Sequence, residues 1–545
     1  MQAYAILSLF LHLLRQFLHI LSPSSSTRLS IFCLEVPEKF AQVKKKHYFC
    51  SAKVYQAMRK AITTLFSLLL IIGTIYSQEL PLLGRRGTHR PERTLRRAAG
   101  GQDRGPGGNY FTGEKHQLVV LAEFADFPFQ ENDEQATIAQ WNKILNTEHL
   151  NEAPYTGSAR DYFSSQSYGQ FNLVFDIQYV RVGDRSRYRS TAEDDENSQY
   201  LVLDVVDSLT KRDIQWNLYD WNGDGYINQL LIIYAGKGQN DGGDSYTIWP
   251  HQWWLSEHMV DRQAGVYYDP LPINYGTKQY LVDCYCAVHE LKGSSGPFGT
   301  LCHEYSHCFG FPDFYTGGST VYSWDLMDYG CYNGGGYQPA SYSAHERWLM
   351  GWLEPQELAQ PISVADMPAL EDEPVAYLIR NDGYEAEYYI VENRQKKGWD
   401  SSLPGSGILF FHIDYDAHAW LYEAVNTSSS KRYTLINANN KSFYRYAAGW
   451  AYPYEGNNGL TDASTPAATL WHANTDGNLL MSKPVTNITL SNGLASFDFM
   501  APTEGIENVY MESSEDSKSV KCLIDGEVYI FRGKHVYNTL GIQIR

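Results

Sequence analysis

His303-Glu304-Tyr305-Ser306-His307 is an H-E-x-x-H run, and Gly310 and Asp313 follow it at x-x-G-x-x-D spacing. On a helix the two histidines lie one turn apart and point from one face, so both imidazoles reach a single metal ion. Glu304 stands beside the first of them and can take a proton from water held at that ion without ligating it. Gly310 lets the chain leave the helix in a conformation that a β-carbon resists, and the turn can bring Asp313 back as a third ligand. Three protein ligands and one open position make a catalytic zinc arrangement, whereas four ligands close a structural one. The competing reading is a surface helix with two satisfied histidines. Gly310 and Asp313 at their offsets favour the metal.

A second cluster of oxygen donors lies upstream. In Asp220-Trp221-Asn222-Gly223-Asp224-Gly225-Tyr226-Ile227-Asn228, side-chain oxygens fall at positions 1, 3, 5 and 9 of a calcium-loop pattern. Gly225 sits at the tight turn, and Tyr226 can offer its carbonyl. Position 12 is Leu231 rather than Glu, and an apolar strand-like run continues to Tyr234, so this is no EF-hand. It reads either as a structural calcium site on Asp220, Asn222, Asp224, Tyr226 and Asn228 or as a plain Asx/Gly turn.

These residues need elements to hold them. Gln117 to Phe124 and Asn172 to Val182 have the texture of strands; 136–145, 157–167 and 198–209 have helical spacing. The alternation predicts an α/β domain over 113–354, with helices packed on a twisted sheet and 344–349 as a further helix. From Pro355 the pattern changes to short strands bracketed by Gly, Pro and Asn, among them 388–394, 407–414 and a hairpin-like pair within 482–500. This β-rich stretch, 355–502, either buttresses the catalytic domain or shapes substrate binding with its aromatics; His412 and Asp414 read as satisfied strand residues. Residues 503–545 form a small β unit with two strands around Asp525-Gly526.

The chain has 545 residues, room for two or three domains, and a net charge of −18, which argues against nucleic acid as a partner. Met58-Arg59-Lys60 followed by a short apolar core reads as a secretory signal over 58–77, too short for a comfortable membrane span. The 57 residues before it read as a mis-called upstream extension, or else as a membrane anchor. Residues 78–112, with paired arginines and a Gly/Pro-rich run, read as a pro-segment or linker. That segment has no Cys, so no thiolate from it can cap the metal; Asp103 is the carboxylate in place to do so, against the plainer reading of a flexible leader. Six cysteines follow the signal: Cys284, Cys286, Cys302, Cys308, Cys331 and Cys522. Export permits disulfides, and buried thiols are an equal expectation.

Together, H-E-x-x-H-x-x-G-x-P-D and the later Trp324-Asp325-Leu326-Met327-Asp328 resemble the M6 (immune inhibitor A-like) metallopeptidases, within the metzincins, with Asp in place of the third His of the usual metzincin pattern. Gly157 to Phe163, Ile248-Trp249-Pro250-His251, Trp348 to Leu353 and the stretch Glu392 to Asp414 share the likeness, which spans about 115 to 500. The resemblance implies a metzincin-like fold, with Met327 as the apolar floor beneath the zinc. It matches Tyr329 to a tyrosine that steadies the oxyanion in some metzincins, against a packing role. It also leaves Glu346, where a gluzincin would supply its glutamate, as a rival to Asp313 for the third ligand. The last residues, Tyr537 to Arg545, resemble C-terminal sorting domains of Bacteroidetes type IX secretion cargo, which would make secretion machinery a partner. The expected protein is therefore a secreted or cell-surface zinc endopeptidase, monomeric, acting on protein and peptide substrates. The alternative is a catalytically silent surface adhesin on the same scaffold.

Overall fold

The computed structural model describes residues 85–86, 111–189, 197–244, 246–261 and 266–500, with the strands Ser519–Ile524, Glu527–Arg532 and His535–Tyr537. The expected upstream extension, signal, Asp103 and the last eight residues lie outside them. No helix among the described residues is long and apolar enough to cross a membrane.

The first sheet has six strands: β1 (Arg85–Arg86), β2 (Gly113–Phe124), β3 (Phe171–Val182), β4 (Leu230–Tyr234), β5 (His251–Trp254) and β6 (Cys284–His289), in the order β1-β5-β6-β4-β2-β3. β6, β4, β2 and β3 run parallel, and β5 is antiparallel to β6. β4 and β6 are buried along their whole length, as strands covered on both faces must be. Helices α1 (Glu134–Asn146), α2 (Ala159–Gln166) and α3 (Ser198–Leu209) match the periodic segments closely. Asp133 caps α1 by accepting the amide of Ala136, and Ser158 and Asp161 close a reciprocal capping box on α2.

Helix α4 (Pro297–Ser306) carries H-E-x-x-H and begins with Pro at its first turn, where the missing N–H costs nothing. All ten of its residues are buried. The helix tightens to a 3₁₀ turn over His307–Phe309 and stops at Gly310, whose φ of +94° is the left-handed region that favours glycine. Phe309 anchors this end, with the rings of Phe111, Phe163, Phe171, Tyr305, Phe311 and Trp352 all within 6.0 Å of its own.

Helix α5 (Ala344–Leu349) ends the region, and the second half brings a five-stranded sheet: β7 (Gln356–Glu357), β9 (Tyr377–Arg380), β10 (Glu387–Arg394), β11 (Gly407–Asp414) and β12 (Tyr433–Leu435). A three-stranded sheet is made of β8 (Ile362–Met367), β13 (Val485–Ser491) and β14 (Leu494–Phe499). β10 and β11 are wholly buried, and their alternation splits two cores. Tyr388, Ile390, Leu409 and Phe411 face the core that holds α4, while Tyr389, Val391, Ile408 and Phe410 face a second one. The expected boundary at 354/355 does not interrupt that first core, which runs from Phe111 to Ala451.

Candidate metal centre

His303 and His307 enter the site from the last turn of α4 and the 3₁₀ turn after it. His303 Nδ1 is 2.9 Å from the carbonyl of Leu326, and His307 Nδ1 is 2.7 Å from the carbonyl of Phe311. A carbonyl only accepts, so each Nδ1 donates and each ring presents Nε2 to the interior. The Trp324–Met327 turn thus serves the site through a backbone oxygen, with Met327 fully buried beside it. Asp325 accepts the amide of Met327 at 2.8 Å and so fixes that turn.

Asp313 returns to the histidines after Gly310, as its spacing predicts. Its Oδ1 is 3.1 Å from Nε2 of His303 and 3.3 Å from Nε2 of His307. The edge of a tetrahedron of ligands around zinc is about 3.3 Å. Oδ1 of Asp313 and Nε2 of His303 are buried and make no regular hydrogen bond despite their proximity, as expected of two donors aimed at one point between them. These residues therefore fit a small divalent ion. Burial works against a charged His303, but the carboxylates of Asp313 and Glu304 together outweigh it and lift the imidazole pKa to about 9. Burial likewise opposes ionisation of Asp313, and the two histidines overcome it, holding the carboxyl below its usual range.

Glu304 is fully buried, and its Oε2 lies 3.9 Å from Nε2 of His307. Potential ligand atoms of His303, Glu304 and His307 all fall within 4.8 Å of one another. The closer spacing belongs to the His–His–Asp set, which leaves Glu304 beside the ligands. The residues that match the sequence-level candidates thus meet at the end of a helix packed on a mostly parallel sheet.

Residues 111–353 match the family model described as Immune inhibitor A peptidase M6, catalytic domain. Immune inhibitor A of Bacillus thuringiensis subsp. alesti is 29% identical over 277 residues, an alignment covering 42% of this chain and 38% of that relative. The chain thus aligns with well under half of that protein. Both likenesses support a peptidase, and the matched family is a metallopeptidase family. The matched region holds every residue of the His–Glu–His–Asp cluster.

Within that region, Tyr315 was not legible as a site residue. Its hydroxyl donates to Oδ2 of Asp313 at 2.9 Å, and its ring stacks on His303 at 6.4 Å and 27°. Burial first, then the charges of Asp313 and Glu304, push its pKa far above the ordinary tyrosine value, so it stays a neutral donor. Tyr329, by contrast, is half-buried, stacks against Tyr322 at 6.0 Å and lies tilted beside Tyr332 at 6.4 Å. Its described neighbours are other tyrosine rings.

Glu346 does not reach the histidines. It closes a capping box at the start of α5, accepting the amide and hydroxyl of Ser343 at 2.7 and 3.0 Å. Its other neighbour is Asp325, whose charge adds to burial in holding the Glu346 carboxyl well above its ordinary range. A carboxyl committed to capping is a poor rival ligand, and Asp313 is the carboxylate that stands at both imidazoles. Asp325 is itself pushed up to about 7, by burial first and with Asp328 adding to it, while Tyr433 and Met327 donate to it. In the unfolded chain an Asp ionises near about 3.9. The folded state therefore keeps this proton longer, and the corresponding stability falls as pH rises from about 4 to about 7, then levels off. Asp325→Asn removes the titration and keeps an acceptor for Met327. Relative to wild type it should gain on the order of 2–4 kcal/mol between pH 4 and pH 7. Denaturant melts of both proteins across that range check this; parallel curves refute it.

Among the described residues the cysteines stand as thiols: Cys284, Cys286, Cys302 and Cys331 are buried, and Cys308 is half-buried. In the 220–228 loop, Asp220 accepts the amides of Asp224 and Gly225 at 3.1 and 3.0 Å, Asp224 accepts that of Tyr226 at 2.8 Å, and Asn228 that of Trp221 at 2.7 Å. Gly223 and Gly225 take φ of +75° and +88° to make the turn. The side-chain oxygens of Asp220, Asp224 and Asn228 thus fold the loop through its own amides.

Proposed function

We propose that this protein is a secreted zinc-dependent endopeptidase. The observation that carries the proposal is the convergence of Oδ1 of Asp313 on the two Nε2 atoms at 3.1 and 3.3 Å, inside the stretch that matches a peptidase model. His303, His307 and Asp313 would hold the ion. Zinc bound there supplies Lewis acidity, lowering the pKa of water towards about 7 and polarising a carbonyl. Glu304 accepts the proton of the attacking water as oxygen bonds to the scissile carbon, then delivers it to the amide nitrogen as the C–N bond breaks. Tyr315 holds Oδ2 of Asp313, so the carboxylate offers Oδ1 to the site. Secretion rests on the signal-like stretch 58–77, and export through a dedicated machinery on the C-terminal tail.

Metal analysis of the purified protein together with casein or gelatin digestion tests this reading. One equivalent of zinc, with cleavage lost on chelation and restored by zinc, is the expected result. A protein that binds surface ligands, holds no zinc and cleaves nothing would instead be the silent adhesin. A calcium ion on Asp220, Asn222, Asp224, Tyr226 and Asn228 belongs to the same reading, supported by the loop that gathers their oxygens. Adding millimolar calcium should raise the melting temperature of wild type and leave Asp220→Ala unchanged; equal responses would remove the site.

A further inference from the structure

The matched region ends at residue 353, yet the loop that delivers the third ligand is held from outside it. The backbone amide of Asp313 donates to Oε2 of Glu423 at 2.8 Å, across 110 residues of sequence. Glu423 follows helix α6 (Ala417–Leu421), is 3% exposed, and holds a left-handed backbone with φ of 57°. A non-glycine residue in that conformation is uncommon, and persists where the surroundings fix it. Here the surroundings are a clasp. Asn426 donates to the carbonyl of Phe314 at 2.8 Å, Tyr433 stacks on Phe314 at 3.7 Å and 13°, and Lys431 donates to the carbonyl of Gly317 at 2.8 Å. A β-carbon on Gly317 would lie 2.3 Å from the carbonyl oxygen of Asn426, so the two segments meet backbone to backbone.

We infer that Glu423 is a positioning residue of the metal centre: the second half of the chain completes the site by fixing the backbone of Asp313. The inference rests on the metal reading above. Asp313 is then held at two points. Glu423 takes its amide, Tyr315 takes Oδ2, and Oδ1 alone is left for the ion. A carboxylate on a backbone N–H is a strong, charge-assisted hydrogen bond, and groups that orient a ligand in this way commonly govern metal affinity by about 10- to 100-fold. The β-rich stretch then has a role that neither buttressing nor substrate binding describes.

The test uses the full chain as wild type, Glu423→Ala, Glu423→Gln and Asn426→Ala, with two readouts: zinc affinity by competition against a chromophoric chelator, and the absorption spectrum of the cobalt-loaded protein. Glu423→Ala should bind zinc about 10- to 100-fold more weakly and shift the cobalt bands. Glu423→Gln keeps an acceptor for the amide and should stay within about threefold of wild type, whereas Asn426→Ala loosens the same clasp at Phe314 without removing the partner of the Asp313 amide and should lose clearly less than Glu423→Ala. If Glu423→Ala does not fold, Glu423→Asp takes its place; shortened by one methylene, it should lose about tenfold or more while Glu423→Gln does not. Unchanged affinity in Glu423→Ala overturns the inference, as do equal losses in Glu423→Ala and Asn426→Ala, or equal affinities of the Asp and Gln variants. A wild type that binds no zinc would sink the metal reading itself, whereas zinc held equally by wild type and Glu423→Ala sinks only the role of Glu423.

Discussion

Glu304→Gln is expected to lower kcat/KM by about 10²- to 10⁴-fold while the protein keeps its full zinc content. The substitution preserves the shape of the side chain and removes the basic oxygen that accepts the water proton. Metal retention follows from the distances: Oε2 of Glu304 stands 3.9 Å from Nε2 of His307, outside the 3.1–3.3 Å spacing of the atoms that face one another at the centre. The proposed ligands His303, His307 and Asp313 are untouched by the substitution. Turnover of a peptide substrate and zinc per chain, measured on the same preparation, check both halves. An active variant would remove Glu304 as the base, and a zinc-free one would make it a ligand.

His303→Ala should lose both properties. Structural zinc sites are worth about 10–16 kcal/mol over four ligands, so deleting one of three protein ligands should weaken binding by at least about 10²- to 10³-fold. The loss is compounded locally, because the imidazole also ties α4 to the carbonyl of Leu326 at 2.9 Å. An ion that binds only the folded state stabilises it by about 2.7 kcal/mol at a hundredfold excess over Kd. Thermal melts with and without zinc should accordingly show a rise for wild type and none for His303→Ala, with catalysis falling to background. Retained zinc-dependent stabilisation in the variant would place the ion elsewhere.

The elements that carry the histidines were legible because their signals are local. The apolar run of β2, the capping box Ser158–Asp161 on α2 and the Pro-to-Gly frame of α4 each act within a few residues. Asp313 was legible for the same reason, since Gly310 announces the turn that returns it. The rivalry of Glu346 could have been decided by a signal already in the chain: Ser343-x-x-Glu346 is itself a capping-box pattern, and the structure uses it as one. His307 lies just past the α-helix, in the 3₁₀ turn, a shift that periodicity does not reveal. Glu423 had no local sign at all, since its role depends on a contact 110 residues away between two stretches of different texture. The continuous core across 354/355 was hidden in the same way: β10 and β11 alternate as ordinary strands, and only packing shows that both of their faces are covered.

The two backbone carbonyls that accept from Nδ1 also select the tautomer. With Nδ1–H tied to a carbonyl, each imidazole turns Nε2 inward, an incoming ion has only the Nε2 proton to displace, and flipping either ring would set a carbon against a carbonyl. Two nitrogen donors and a single carboxylate oxygen make an environment of intermediate softness. Magnesium and calcium, which seek six or more oxygens, are poorly served there, while zinc and cobalt are well served. Millimolar magnesium or calcium should therefore compete little with zinc for this position, a preference set by a donor set that the two carbonyls orient in advance.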